Sequence, residues 1–191
     1  LLYSFIVISQ KDADREFEPS IERLFYYGAM ADKFEVSIHN PPIRGLTFAV
    51  KEPIGVVANI LNDDFPLLSL ITTLGANFAA GNANIIVPGQ NTSLLATELY
   101  QLLETSDVPS GYINILTTKQ NSLNKILAEH ENIDGIWFFS ENNNERLNVI
   151  QSTSSNLKRS WCPQSKNLDC TYKEIAFLEE FIHQSTQVKN I

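Results

Sequence analysis

Between Gly55 and Trp161, short apolar runs alternate with segments of helical length, and that alternation leaves the chain few folds to choose from. Gly55-Val-Val-Ala-Asn-Ile-Leu is nearly continuous in its apolar character, as strands buried on both faces are. Pro66 to Ala80 follows as a helix, with proline in the first turn, where a missing N–H costs nothing, and Gly81-Asn82 at its end. The same rhythm predicts strands over Ala83–Val87, Tyr112–Thr117, Gly135–Phe139 and Leu157–Trp161. Between them it predicts helices over Thr92–Glu104, Ser122–Glu131 and Asn143–Ser152. Strands and helices in this order build an α/β unit, a parallel sheet of about five strands with helices on both faces.

The flanks are read differently. The first forty residues are expected to be helical, starting around Pro19-Ser20 and presenting Ile21, Leu24, Phe25, Ala29 and Phe34 as an apolar stripe. His39-Asn-Pro-Pro ends that pattern, and Arg44 to Val50 is expected as a strand of an edge hairpin. After a polar loop from Cys162 to Asp169, Tyr172 to His183 is an amphipathic helix with Ile175, Leu178 and Ile182 on one side, and Gln187 to Ile191 begins a strand. On this reading residues 1–50 are N-terminal helices and a flanking strand, 51–161 the α/β unit, and 162–191 a loop, helix and tail, all in one structural domain. The chain is expected to be a fragment of a longer protein, since Leu1 is not an initiator Met. The apolar run from Leu1 to Ile8 lacks a basic leader and a small-residue cleavage site, so a cytoplasmic protein is expected.

Charge and cysteine usage exclude several classes. A formal net charge of −8 argues against a phosphate backbone as partner, because counterion release needs clustered Lys and Arg. No apolar run approaches the roughly 18 residues of a membrane span. Cys162 and Cys170, the only 2 cysteines, are too few for a disulfide framework. Either could pair with His183 as nucleophile and base, but neither has an activating context, and both are expected to be loop thiols. His39, His130 and His183 are too scattered for a metal site. Asp63-Asp64 has no substrate-binding neighbours that would make it a Mg2+ site, and Asp12, Asp14, Glu16 and Glu18 are expected to form a solvated segment. There is no G-x-G-x-x-G and no P-loop. Asp64 is expected to cap the helix that starts at Pro66, and Glu141 to be an exposed acidic first turn.

Glu52-Pro-Ile-Gly-Val-Val, Asp64-Phe-Pro, Ala79-Ala-Gly-Asn and Val87-Pro-Gly-Gln, in that order and spacing, resemble the cofactor-domain entrance of the aldehyde dehydrogenase family. The resemblance runs from Ile21 to about Arg159 and implies the Rossmann-like variant sheet of that family, which lacks the glycine fingerprint. Ser155-Asn-Leu-Lys-Arg-Ser-Trp and Thr186-Gln-Val-Lys-Asn are most similar to the degenerate C-terminal region of its sixteenth family, since ordinary members continue from Asn-Leu-Lys into a Glu-Leu-Gly-Gly motif.

What the resemblance implies about chemistry is mostly loss. The family Asn that donates to the thiohemiacetal oxyanion aligns with Asp64, which as a carboxylate only accepts and repels developing negative charge. The Lys that reaches the adenosine ribose aligns with Val87, which has no donor. Its companion Glu aligns with Gln90, which can bond a sugar hydroxyl without charge assistance. The Gly-Ser pair facing the pyrophosphate aligns with Ser140-Glu141, so that a carboxylate takes the place of the phosphate. The general base aligns with Pro163, which moves no proton. The expectation is therefore a pseudo-enzyme domain with no catalytic residues and no cofactor, Asp64, Val87, Gln90, Ser140 and Glu141 being vestigial cleft positions. Its expected partner is the dehydrogenase region of a longer chain or a second subunit in a homo-oligomer, met through the apolar N-terminal helix face and Gln187 to Ile191. Two alternatives stay open: the NAD-binding part of an active aldehyde dehydrogenase, an oxidoreductase, or a module whose old cleft binds another protein.

Overall fold

The computed structural model describes residues 10–42, 45–164 and 175–191. Its elements in chain order are α1 (Gln10–Met30), β1 (Ser37–His39), β2 (Thr47–Pro53), β3 (Val56–Ile60), α2 (Pro66–Ala80), β4 (Ala83–Val87), α3 (Ser93–Glu104), β5 (Ile113–Ile115), α4 (Gln120–Glu129), β6 (Gly135–Phe138), α5 (Asn143–Thr153), β7 (Arg159–Trp161), α6 (Ile175–Ser185) and β8 (Thr186–Asn190). A 5-stranded parallel sheet runs β5-β4-β3-β6-β7, and a 3-stranded antiparallel sheet runs β1-β2-β8. The α/β class and the parallel sheet are as expected from the sequence.

Alternation along the central strands divides the core in two. Val57, Leu61, Ile86, Trp137 and Phe139 face α1, α2, α3 and α6, meeting Tyr27, Leu70, Leu74, Ala96 and Phe181. Ala58, Ile60, Val87, Ile136 and Phe138 face α4 and α5, meeting Leu127, Ala128 and Val149. Gly81, at φ 87°, closes α2 in the left-handed region and lets the chain turn directly into β4. The first face also carries amides: Asn59, Asn77, Asn82 and Asn84 are all fully buried. Asn77 donates to Asn59 (3.2 Å), Asn59 to Asn84 (3.1 Å), and Asn82 to both Asn77 (3.2 Å) and the Ser185 carbonyl (2.7 Å). Strands β3 and β4, helix α2 and the end of α6 are thereby tied by side-chain hydrogen bonds as well as by apolar contact. Trp137, Trp161, Phe139 and Phe181 pack ring on ring beside this network and seat α6 against β6 and β7, with the Trp161 and Phe181 centroids 4.8 Å apart.

The N-terminal region corrects the sequence reading. The helix stops at Met30, and Ser37–His39 is a strand paired with β2, because the β-branched Val36 just before it and Ile38 within it favour extended backbone where a ladder partner is available. Helix α1 also starts well before Pro19-Ser20 and runs through the proline. Its inward face is Glu16, Ser20, Arg23 and Tyr27, at helical spacing and all buried, while Ile21, Leu24 and Phe25 face outward. The polar inward face has a specific cause. Glu16 Oε2 accepts the amide N–H groups of Leu67 (3.0 Å) and Leu68 (3.1 Å), and Arg23 donates to Thr72 Oγ1 at 2.6 Å. Those bonds hold the helix across Pro19 with its polar side inward. Glu16, expected to be solvated, is therefore a buried structural residue.

Candidate functional site

From β3 the chain builds outward through β4 and β5, then returns on the other side of β3 with β6 and β7. The carboxyl ends of β3 and β6 thus flank a topological switch point, the usual ligand crevice of an open α/β sheet. A cavity of about 260 Å3 lies there, lined by Asn62, Asp63, Gln90, Gln120, Asn124, Phe138, Phe139, Ser140 and Glu145. It adjoins an open groove of about 680 Å3 between α4 and α5, to whose wall Asn124 and Glu145 also contribute.

The loops around the crevice are lashed to one another. Asp63 accepts the backbone N–H (2.9 Å) and the side-chain amide (3.0 Å) of Asn91, drawing the loop after β3 onto the loop after β4. Gly89 is required by that approach: a Cβ there would sit 2.2 Å from Asp63 Oδ1 and 2.8 Å from the Asn62 carbonyl oxygen. Gln120, at the start of α4, donates to the carbonyls of both Leu61 and Pro88 and so clamps the ends of β3 and β4 together. Nothing local in the sequence marked Gln120, because both of its partners are distant along the chain.

Asp64 differs from what was expected of it. Asp64 does not cap α2: Phe65 occupies the cap position at φ 48°, ψ 58°, with no side-chain cap, and the first amides go to Glu16 instead. Asp64 is exposed and accepts from Asn62 Nδ2 at 2.7 Å. Val87 is fully buried among the apolar residues facing α4 and α5 and presents nothing to the crevice. Gln90 is exposed at the cavity wall.

Ser140 donates to Glu145 Oε2 at 3.0 Å and accepts the Asn142 N–H at 3.1 Å, while Asn142 Oδ1 accepts the Asn144 N–H at 3.0 Å. Asn142-Asn-Asn-Glu is thus a cap for α5 with its acidic residue three positions on, a pattern present in the sequence itself. Glu141 is exposed immediately before that cap.

The remaining candidates are dispersed. Pro163 lies half-buried beyond the end of β7. Burial pushes the Cys162 thiol up to about 11, against smaller downward pulls from Arg146 and a backbone hydrogen bond at Phe138, so it is protonated and unreactive near neutrality. Cys170 lies outside the described residues. His183 is exposed on α6, His39 is exposed on β1, and His130 accepts the Asn132 N–H at Nδ1. Among the described residues no group of three or more His, Cys, Asp or Glu could hold a metal ion. No helix among them is long and apolar enough to cross a membrane.

A dinucleotide is the ligand such a crevice takes most often, and the residues present fit it poorly. No Lys or Arg lines the cavity, two of its lining residues are carboxylates, and Asp64 and Glu141 lie beside it in sequence. At the α5 N-terminus, where a pyrophosphate would sit, the Asn144 amide is engaged by the Asn142 side chain and the amide of the cap residue Asn142 by Ser140.

Known proteins agree on the fold. The model of the aldehyde dehydrogenase family matches residues 8–162. A NADP/NAD-dependent aldehyde dehydrogenase, PuuC, of Escherichia coli is 31% identical over 136 residues, covering 71% of this chain and 28% of that protein. A cytosolic aldehyde dehydrogenase of Rattus norvegicus is 29% identical over 174 residues, covering 87% of this chain and 34% of its own length. Betaine aldehyde dehydrogenase from Staphylococcus aureus, solved in complex with NAD+, superposes with a TM-score of 0.79 at 20% identity, over 84% of this chain and 32% of that one. The chain thus spans about a third or less of the length of these relatives. The family match extends over most of its residues, and by that measure the chain belongs to the aldehyde dehydrogenase family.

Proposed function

We propose that this chain is a non-catalytic member of its family, a pseudo-enzyme domain that keeps the sheet and its crevice but does not use NAD, and that serves assembly within a larger dehydrogenase-family protein. One observation carries the reading. The crevice at the switch point is lined by carboxylates and amides with no cation to offset a pyrophosphate, and at the α5 N-terminus the Asn144 amide is already taken by the Asn142 side chain. The buried Val87 and the proline at position 163 point the same way. The likeness to the C-terminal degenerate region of the sixteenth family supports it further, as does β8, which follows α6 directly and completes the β1–β2 hairpin as a sheet. The partner proposed is the dehydrogenase region of the same longer chain or a second subunit in a homo-oligomer, with the outer edge of β8 as one site of strand addition.

Calorimetric titration with NAD+ and with NADP+ tests the cofactor half of this reading. The expected result is no saturable heat up to millimolar nucleotide. A dissociation constant on the order of micromolar, about 8 kcal/mol of binding, would overturn it. That result would favour the alternative in which the chain is the cofactor part of an active NAD-dependent aldehyde dehydrogenase. The alternative has an observation of its own: the crevice and the adjoining groove between α4 and α5 together leave ample space for a ligand.

A further inference from the structure

We infer that the cavity at the switch point is a binding site for a small primary alkylamine in its ammonium form. This rests on the reading that the crevice takes no dinucleotide, and it names the ligand chemistry that the same residues do fit. What carries it is an excess of hydrogen-bond acceptors in the cavity wall. Of the lining residues, Asn62 and Asn124 each hold a side-chain oxygen, Oδ1, that is buried without a hydrogen-bond partner. A buried acceptor left unpaired is costly, so each marks a place where a ligand donor would be stabilising.

The donors of the same wall are mostly committed already. Asn62 Nδ2 donates to Asp64 Oδ2 at 2.7 Å. Turning that amide over would set its oxygen against the carboxylate, so Oδ1 is held on the buried side. Gln120 Nε2 donates to the Leu61 and Pro88 carbonyls, and the Ser140 hydroxyl to Glu145 Oε2. Of the side-chain amides in the lining, only those of Gln90 and Asn124 donate to nothing else among the described residues. Glu145 is not neutralised by its neighbours. Arg146 donates to Asn143 Oδ1 at 3.1 Å, and Lys125, on the adjoining groove, pairs with Glu129 at 3.7 Å. Asp63 adds a second carboxylate to the wall, its oxygens shared with Asn91.

Charge, donor count and size select the ligand. With two carboxylates and no Lys or Arg in the lining, a cation is attracted and an anion repelled. A primary ammonium carries three donors and no acceptor, one each for Asn62 Oδ1, Asn124 Oδ1 and the Glu145 carboxylate. The cavity of about 260 Å3 is several times the roughly 30 Å3 that one water molecule fills, so it is oversized for a bare metal ion and has room for an alkyl body.

The test is a titration of the whole isotope-labelled chain with n-butylammonium, followed by its amide NMR shifts. Saturable shifts at Asn62, Asn124 and the residues around the cavity are expected, with a dissociation constant on the order of 1 mM or below. n-Butanol keeps the shape without the charge, and butyltrimethylammonium keeps the charge without the N–H donors. Both should bind at least about tenfold more weakly. Glu145→Gln should weaken n-butylammonium roughly tenfold or more. Asn124→Ala, at a side chain with no hydrogen bond to lose, should weaken it about threefold or more. Circular dichroism should be unchanged in both variants. The inference is overturned by no saturable shift at amine concentrations of about 10 mM, by equal binding of n-butanol or butyltrimethylammonium, or by indifference to either substitution. Saturation of the same shifts by Mg2+ alone, with exclusion of the amine, would assign the cavity to a metal ion and overturn it as well. The nucleotide titration is a separate measurement. An amine that fails to bind leaves the cofactor reading standing, and micromolar NAD+ affinity overturns that reading whatever the amine does.

Discussion

Glu16 is a carboxylate that joins α1 to α2. It is buried, it comes from α1, and its Oε2 accepts the first two free amides of α2, which lack a local cap because Phe65 stands at the cap position in the left-handed region. Replacing a charged acceptor with an amide keeps the shape but halves the strength of two hydrogen bonds at a positive helix end. Glu16→Gln should therefore lower the unfolding free energy by about 1–2 kcal/mol, read from urea denaturation, and Glu16→Ala by more. A loss under about 0.3 kcal/mol for Glu16→Ala would mean that α1 is held by Tyr27 and Arg23 alone. The partners of Glu16 lie far along the chain, which is why four acidic residues on alternating positions could pass for a solvated segment.

At the scale of elements, the amide network makes an unusual demand on α2. Asn77 joins Asn59 on β3 to Asn82 after the helix, and all three are without solvent contact. Asn77→Ala removes a donor from one buried amide and an acceptor from another, so a loss of about 2–4 kcal/mol is expected. In a double-mutant cycle with Asn59→Ala the two losses should fall short of additivity by roughly 1 kcal/mol or more. Strict additivity would mean that the amides are bridged by water rather than by one another. The elements themselves were largely legible. Pro66 at a helix start, Gly81-Asn82 at its end and the apolar run through β3 are local chemistry, and they mark α2, β3 and β4 within a residue or two. The apolar stripe of Ile21, Leu24 and Phe25 was legible as a surface, but the inward face of α1 was not, because only contacts made in the folded chain place Glu16 and Arg23 in the interior. The crevice was legible in part. Val87, Gln90 and Ser140 could be named only through the family resemblance, whereas the Gln120 clamp and the Asp63–Asn91 lashing join loops that meet only in the folded sheet.

At the scale of the whole molecule, the described residues form two sheets of unequal protection. Strands β3, β4 and β6 lie between helical layers, and their amides are reached only when those layers part. The β1-β2-β8 sheet is less well covered: every residue of β1 is exposed, β2 is at most half-buried, and of β8 only Thr186 is buried. Thr186 is also the one residue of β8 tied back to the main body, donating through Oγ1 to the Ile182 carbonyl at 3.0 Å while its own carbonyl accepts from Arg159. Native-state hydrogen exchange should therefore divide the chain within β8. Amides of β1, of β2 and of Val188 to Asn190 should exchange through a sub-global opening at least about 100-fold faster than those of β3 and β4, a difference of about 3 kcal/mol. If β1 and β2 exchange only at the global unfolding free energy, the two sheets form one cooperative unit. If instead they become protected only when a partner is added, the small sheet is an interface that the partner completes, because an open ladder gains protection when another strand or surface closes it.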